Sequence, residues 1–91
     1  MIEKKITVIN RLGLHARPSA QLVETAARFE SDVSITRHEP EELTVNGKSI
    51  MGVMMLAAEM GAVLEFRIEG ADEKESMKAI EEVFESKFGE D

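Results

Sequence analysis

Leu43-Thr44-Val45-Asn46-Gly47-Lys48-Ser49-Ile50-Met51-Gly52-Val53-Met54 is the stretch whose reading decides the fold. Leu43 and Val45 alternate with polar neighbours and suggest a short strand. Asn46-Gly47 is by itself the strongest short hairpin signal. The residues that follow are not strand-like, so the pair reads instead as a bend into a helix, with Ser49 as N-cap. That helix is expected over about Ile50 to Glu59, ending near Gly61.

Outward from this bend the hydrophobic period changes several times. Ile2, Ile6 and Val8 alternate with Glu3, Lys5 and Thr7, the period of a strand with one buried face. Asn10-Arg11-Leu12-Gly13 breaks it. From Ala16 to Phe29 the period is helical, with Ala16, Ala20, Val23 and Ala27 as one stripe, widened by Leu22, Ala26 and Phe29. Pro18 fits the first turn, where a missing N–H loses no partner, so this helix should start close to His15. Val33 and Ile35 predict a second strand and Leu64, Phe66 and Ile68 a fourth. Asp72 and Glu75 resemble a capping box, followed by a helix on Met77, Ile80, Phe84 and Phe88 that stops at Gly89. The order β-α-β-β-α-β-α predicts an α+β open-faced two-layer sandwich. Three helices should cover one face of a four-stranded, mainly antiparallel sheet.

Composition narrows the function. The chain has 91 residues, 43% hydrophobic and 32% charged, which suits one small domain spanning residues 1–91 with no disordered stretch. It has no cysteine, so neither a disulfide nor a thiolate metal site is available. No apolar run approaches the roughly 20 residues of a membrane span. Met1-Ile2-Glu3-Lys4-Lys5 lacks the apolar stretch of a signal peptide, and a cytoplasmic monomer is the expectation. The net charge of −7 argues against direct nucleic-acid binding. The sign is not uniform. Residues 1–29 carry five bases against two acids, and residues 30–91 six bases against sixteen acids. An anion or acidic partner should therefore approach the N-terminal third.

Gly13-Leu14-His15-Ala16-Arg17-Pro18 lies in that third. A helix N-terminus offers unpaired N–H groups and about half a positive charge, which suits phosphate. The same field disfavours an imidazolium, and neutral imidazole is the nucleophilic form. Arg17 adds fork-like donors for phosphate oxygens. The alternative is a capping or surface histidine beside a solvated arginine, and the residue types alone leave the two evenly matched. Further on, the helix after Ser49 is apolar nearly all round. With Ile50, Val53, Leu56 and Ala57 toward the sheet, Met51, Met54, Met55 and Ala58 fall elsewhere. A two-layer protein has no third layer to cover them, so they suggest a methionine-rich partner surface, against core filling or a dimer seam. Ser49 needs no role beyond capping, yet a phosphate on it would add charge beside that patch. His38, among Arg37, Glu39, Glu41 and Glu42, reads as a solvated loop histidine. No nucleotide loop, zinc spacing or paired-carboxylate motif is present, so neither a cofactor nor a metal is expected.

These two segments together resemble the histidine phosphocarrier (HPr) family of the bacterial phosphoenolpyruvate-dependent phosphotransferase system. The resemblance covers essentially the whole chain. It implies that His15 accepts a phosphoryl group through Nδ1 from phosphorylated Enzyme I and passes it to enzyme IIA-type acceptors, with Arg17 stabilising the phosphohistidine. It implies a carrier rather than a turnover enzyme. Ser49 matches the serine modified by HPr kinase/phosphorylase in many relatives, whose serine-phosphorylated form can bind a transcriptional regulator. Ile50, Met51, Met54 and Met55 fall on the family's docking surface. The other reading is a regulatory interaction module governed by Ser49, with transfer through His15 vestigial. The Arg37–Glu42 loop is longer and more acidic than in many relatives.

Overall fold

The computed structural model describes residues 1–90. The elements are β1 (Ile2–Thr7), α1 (Ala16–Ala27), β2 (Asp32–Arg37), β3 (Leu43–Asn46), α2 (Ile50–Met55), β4 (Val63–Glu69) and α3 (Glu73–Glu85), followed by a 3₁₀ turn at Lys87–Gly89. The four strands form one sheet in the order β1-β4-β2-β3, antiparallel throughout. Ile2 sits opposite Ile68, Ile35 opposite Phe66 and Val45 opposite Ile35, so the apolar residues of neighbouring strands share a face. The helices cover that face, and the expected open-faced α+β sandwich is the observed fold. Its core is built from Leu64, Phe66 and Ile68 of β4 against Leu22, Val53, Ile80 and Phe84 of the helices, all buried. Phe84 packs edge-on to Phe66 and to Phe88, with centroids 5.6 and 4.9 Å apart. The other sheet face is polar, and Arg67 pairs with Glu3 across it at 3.0 Å.

Asn46-Gly47 does form a bend rather than a hairpin. The Asn46 side chain accepts from the Lys48 amide at 2.9 Å, and its carbonyl accepts from the Ser49 amide. Glycine is needed at position 47 because a Cβ there would stand 2.5 Å from Cγ1 of Val33. Ser49 caps α2 as expected, its Oγ accepting from the Gly52 amide at 3.1 Å.

Five expectations change. α2 ends at Met55 rather than near Glu59, because Ala57 turns to φ +48° and takes the chain out of the helix. Its buried residues are Val53, Leu56 and the following Ala58, while Ile50 and Ala57 are exposed. Of the expected apolar stripe on α1, Leu22 and Ala26 are buried and Val23 partly so, and the rest of the buried side is Pro18, Ser19 and Thr25 in place of Ala16, Ala20 and Ala27. Ser19 and Thr25 can be buried because their hydroxyls donate to the carbonyls of Leu14 and Gln21. Asp72 makes no capping bond to its own helix. It accepts instead from the amides of Glu30 and Ser31 and from the Ser31 hydroxyl, while Glu73 accepts from the Gly70 amide. Finally, Phe88 lies beyond α3, which stops at Glu85. The chain reverses through positive φ at Lys87 and Phe88, and Phe88 folds back into the core.

Candidate functional site

His15 is the N-cap of α1, in extended backbone conformation, with its side chain making no capping bond. Its carbonyl accepts from the Ser19 amide at 3.0 Å and so starts the helix. The first turn of the helix itself carries no acidic residue.

The loop before His15 is held on three sides. The Leu14 amide donates to the Ala58 carbonyl at 2.8 Å. Gly13 has φ +70°, and a Cβ there would come within 2.4 Å of the same carbonyl oxygen, so no other residue fits. Asn10, fully buried, donates through Nδ2 to the Gly13 carbonyl at 2.7 Å and to Oε1 of Glu90 at 3.2 Å.

Glu90 completes the site. Its Oε2 lies 2.9 Å from Nε2 of His15, with side-chain exposures of 18% for the glutamate and 38% for the histidine. An ionised carboxylate can only accept, so the imidazole must carry its proton on Nε2. In the neutral ring Nδ1 then holds the free lone pair, and Nδ1 has no hydrogen-bond partner among the described residues. The buried amide of Asn10 fixes the carboxylate, the carboxylate fixes the ring, and the ring presents one nucleophilic nitrogen.

Arg17 is exposed on the first turn of α1. It borders an open cavity of about 400 Å³, whose other walls are Arg11, Leu12, Gly89 and Glu90. His15, Arg17 and Glu90 thus meet at one place. Sequence reasoning finds the first two but not Glu90 or Asn10. Glu90 is 75 positions from His15 and follows an irregular turn, so no periodicity points to it.

α1 packs against α2, which presents Ile50, Met51, Met54 and Met55 to solvent, exposed by 43, 74, 45 and 62%. Leu12 and Met60, also exposed, are apolar residues that the helical pattern misses. Ser49 is half-buried at the start of α2. His38 lies outside this region and is not simply solvated. Its Nε2 is 2.9 Å from Glu65 and its Nδ1 3.5 Å from Glu42. The hydrogen bond from His38, with help from the charge of Arg67, holds the Glu65 carboxyl below the usual range against the opposing effect of burial. Among the described residues no helix is long and apolar enough to cross a membrane.

One end of the open-faced sandwich thus carries an oriented histidine at a helix start, an exposed arginine on the same helix turn and a rim of exposed apolar side chains. The sequence matches the family model "PTS HPr component phosphorylation site" over residues 2–86. It is 50% identical to the phosphocarrier protein HPr of Xylella fastidiosa (strain Temecula1 / ATCC 700964) over 91 residues, covering 100% of this chain and 99% of the relative. It is 48% identical to that of Neisseria meningitidis (serogroup A / serotype 4A) over 90 residues, covering 99% and 98%. The crystal structure of HPr from Thermoanaerobacter tengcongensis superposes with a TM-score of 0.92 at 44% identity, covering 100% of this chain and 99% of that one. The chain belongs to the HPr family of phosphocarrier proteins of the phosphotransferase system.

Proposed function

We propose that His15 is the phosphoryl acceptor, that Nδ1 is the reacting atom, and that Glu90 selects it. The observation that carries this reading is the 2.9 Å contact between Glu90 and Nε2, which leaves Nδ1 as the free base. In the forward step the Nδ1 lone pair attacks phosphorus, the Nδ1–P bond forms, and the bond to the donor breaks. The ring becomes positively charged as it does so, and the Nε2 proton stays shared with the Glu90 carboxylate, which balances that charge. Arg17 and the amides opening α1 receive the phosphoryl oxygens. Transfer onward reverses each of these changes.

The donor is phosphorylated Enzyme I and the acceptors are enzyme IIA domains, docking on Ile50, Met51, Met54 and Met55. The whole chain acts as one cytoplasmic, monomeric phosphocarrier domain, holding the group between partners rather than turning over a substrate. Ser49 is a second, regulatory phosphorylation site for an HPr kinase/phosphorylase. A phosphate there would stand at the start of α2 beside Ile50 and Met51, where it changes what binds, a transcriptional regulator included. The regulation-only reading has against it that His15 is oriented by a buried network, which regulation through Ser49 does not require.

The test is incubation with Enzyme I, phosphoenolpyruvate and Mg²⁺, followed by intact mass with and without acid treatment. An acid-labile phosphoryl adduct is expected on the native chain and none on His15→Ala. Undiminished acid-labile labelling of that variant refutes the assignment. Phosphoramidate, a small-molecule donor, gives the same readout without any protein partner: its P–N bond breaks as Nδ1–P forms, and ammonia leaves.

A further inference from the structure

The chain has five arginines, and three of them are engaged within the fold. Arg37 donates to the Leu56 carbonyl at 2.7 Å and to the Glu41 carbonyl. Arg67 pairs with Glu3 at 3.0 Å, and Arg28 lies 5.7 Å from the centroid of the Phe29 ring. Arg11 and Arg17 alone have no hydrogen-bond, ion-pair or ring partner among the described residues.

These two border the same cavity of about 400 Å³, which Leu12, Gly89 and Glu90 complete. Two guanidinium groups turned to one cavity repel each other. Among the described residues the only carboxylate in its wall, Glu90, is already bonded to His15 and Asn10. Such a pair becomes favourable when a group with more than one negative charge enters, because each guanidinium offers parallel N–H donors to phosphate oxygens. A phosphoryl group on histidine is that kind of anion, and His15 adjoins the cavity through Glu90.

We propose that Arg11 is a second phosphoryl-binding residue, closing on the phosphohistidine opposite Arg17. The inference rests on the carrier reading of His15 but adds a residue to it. Its position outside α1 matters: the helix carries Arg17, whereas Arg11 comes from the preceding loop, so the anion is gripped from two segments. The loop is not free to drift, since Asn10 is buried and Gly13 is wedged against Ala58.

An acidic side chain on a docking partner could occupy the same two arginines, so the test must work without a partner. The native chain, Arg11→Gln, Arg11→Lys and Arg17→Gln are phosphorylated with phosphoramidate. The phosphorus resonance of the phosphohistidine is then titrated between pH 5 and 8. A nearby cation favours the dianion, so removing it raises the pH at which the phosphoryl group takes up its proton. For a unit charge about 5 Å away in a water-like surrounding, that rise is roughly half a pH unit. Arg11→Gln should show it, Arg17→Gln should show a similar rise, and Arg11→Lys should retain most of the native value. Melting temperatures should stay level, because Arg11 is exposed.

An unmoved phosphorus titration in Arg11→Gln overturns the proposal, even if transfer from Enzyme I is slowed. That pairing of results would make Arg11 a docking residue for an acidic partner. Phosphoramidate labelling without labelling by Enzyme I refutes the carrier reading alone, and the titration still decides Arg11. No labelling of His15 by either donor overturns both.

Discussion

Replacing Glu90 with glutamine tests the logic of the site most directly. The change keeps size and a hydrogen-bond acceptor within reach of Nε2, but removes the charge that balances the ring as phosphorus is attacked. Two unit charges at the observed 2.9 Å separation attract by about 1.4 kcal/mol in a fully water-like medium. The true surrounding is less polar than water, since the glutamate is only 18% exposed, whereas the histidine, 38% exposed, is partly screened. A loss of about 1.4 kcal/mol in the transition state therefore serves as a working figure, and it corresponds to a tenfold slower reaction. The opposing effect is repulsion between Glu90 and the incoming phosphoryl group. It is the weaker of the two, because the carboxylate touches Nε2 while in the proposed step phosphorus bonds to Nδ1 on the other side of the ring. The assay is the initial rate of acid-labile labelling by phosphoramidate and by Enzyme I, with the ring tautomer followed by nitrogen resonances of His15. Glu90→Gln should be about tenfold slower with both donors and should admit the second tautomer. Equal or faster rates with an unchanged tautomer refute the positioning role of Glu90.

Two further expectations follow from the same structure. A negative charge at Ser49 must be laid against Ile50, Met51 and Met54 when a partner docks, at a desolvation cost on the order of 1–3 kcal/mol. Ser49→Asp should therefore slow Enzyme I-dependent phosphorylation by roughly one to two orders of magnitude. Ser49→Ala should label nearly normally and lose only about 1 kcal/mol of cap stability; equal rates for all three proteins would leave Ser49 a cap and nothing more. Asp72 is held below the ordinary aspartate range, first by the Ser31 hydroxyl and then by the Glu30 amide. A lowered carboxyl contributes stability above its unfolded value, lost as pH falls from about 4 toward the folded value. Asp72→Asn should consequently lower the melting temperature at pH 7 and differ much less from the native chain at pH 3, and an equal deficit at both would refute the linkage.

How far the sequence carries this structure depends on the kind of signal each element leaves. The strands are legible because Leu64-Glu65-Phe66-Arg67-Ile68 alternates and the sheet has one buried face, so pattern and burial coincide. α1 is legible as a helix but only partly in its orientation, since Leu22 and Ala26 are buried as expected while Ala16 and Ala27 are not. Alanine is nearly indifferent to burial, and the buried side includes Ser19 and Thr25, whose hydroxyls are satisfied by backbone carbonyls. The end of α2 is illegible because its apolar sequence continues past it. The chain leaves the helix where Ala57 takes φ +48°, and the Ala58 carbonyl then accepts from the Leu14 amide. Phe88 keeps the helical spacing of Met77, Ile80 and Phe84 and reaches the core all the same, but through a reversed turn rather than a fourth helical turn. That turn is what brings Glu90 to His15, so the same irregularity hides both the end of α3 and a residue of the site.

The link between Leu14 and Ala58 also bears on the proposed function, in which partners must find nucleophile and docking surface together. Ala58 follows α2 by three residues, and His15 follows Leu14 directly, so the 2.8 Å backbone bond joins the exit of the methionine-bearing helix to the base of the proposed acceptor, His15. Gly13 removes the side chain that would hold the two segments apart. Arg37, reaching from the end of β2 to the Leu56 carbonyl, fixes the same exit from the sheet side. A partner that buries Met51 and Met54 therefore meets His15 at a set distance, without ordering a flexible loop at the moment of binding. The contact surface itself has a different requirement. Methionine side chains adapt to unlike shapes at little cost, which suits a carrier that must fit a donor and then an acceptor in turn. Rigidity is thus confined to the backbone that sets the reacting atom, and adaptability to the side chains that surround it.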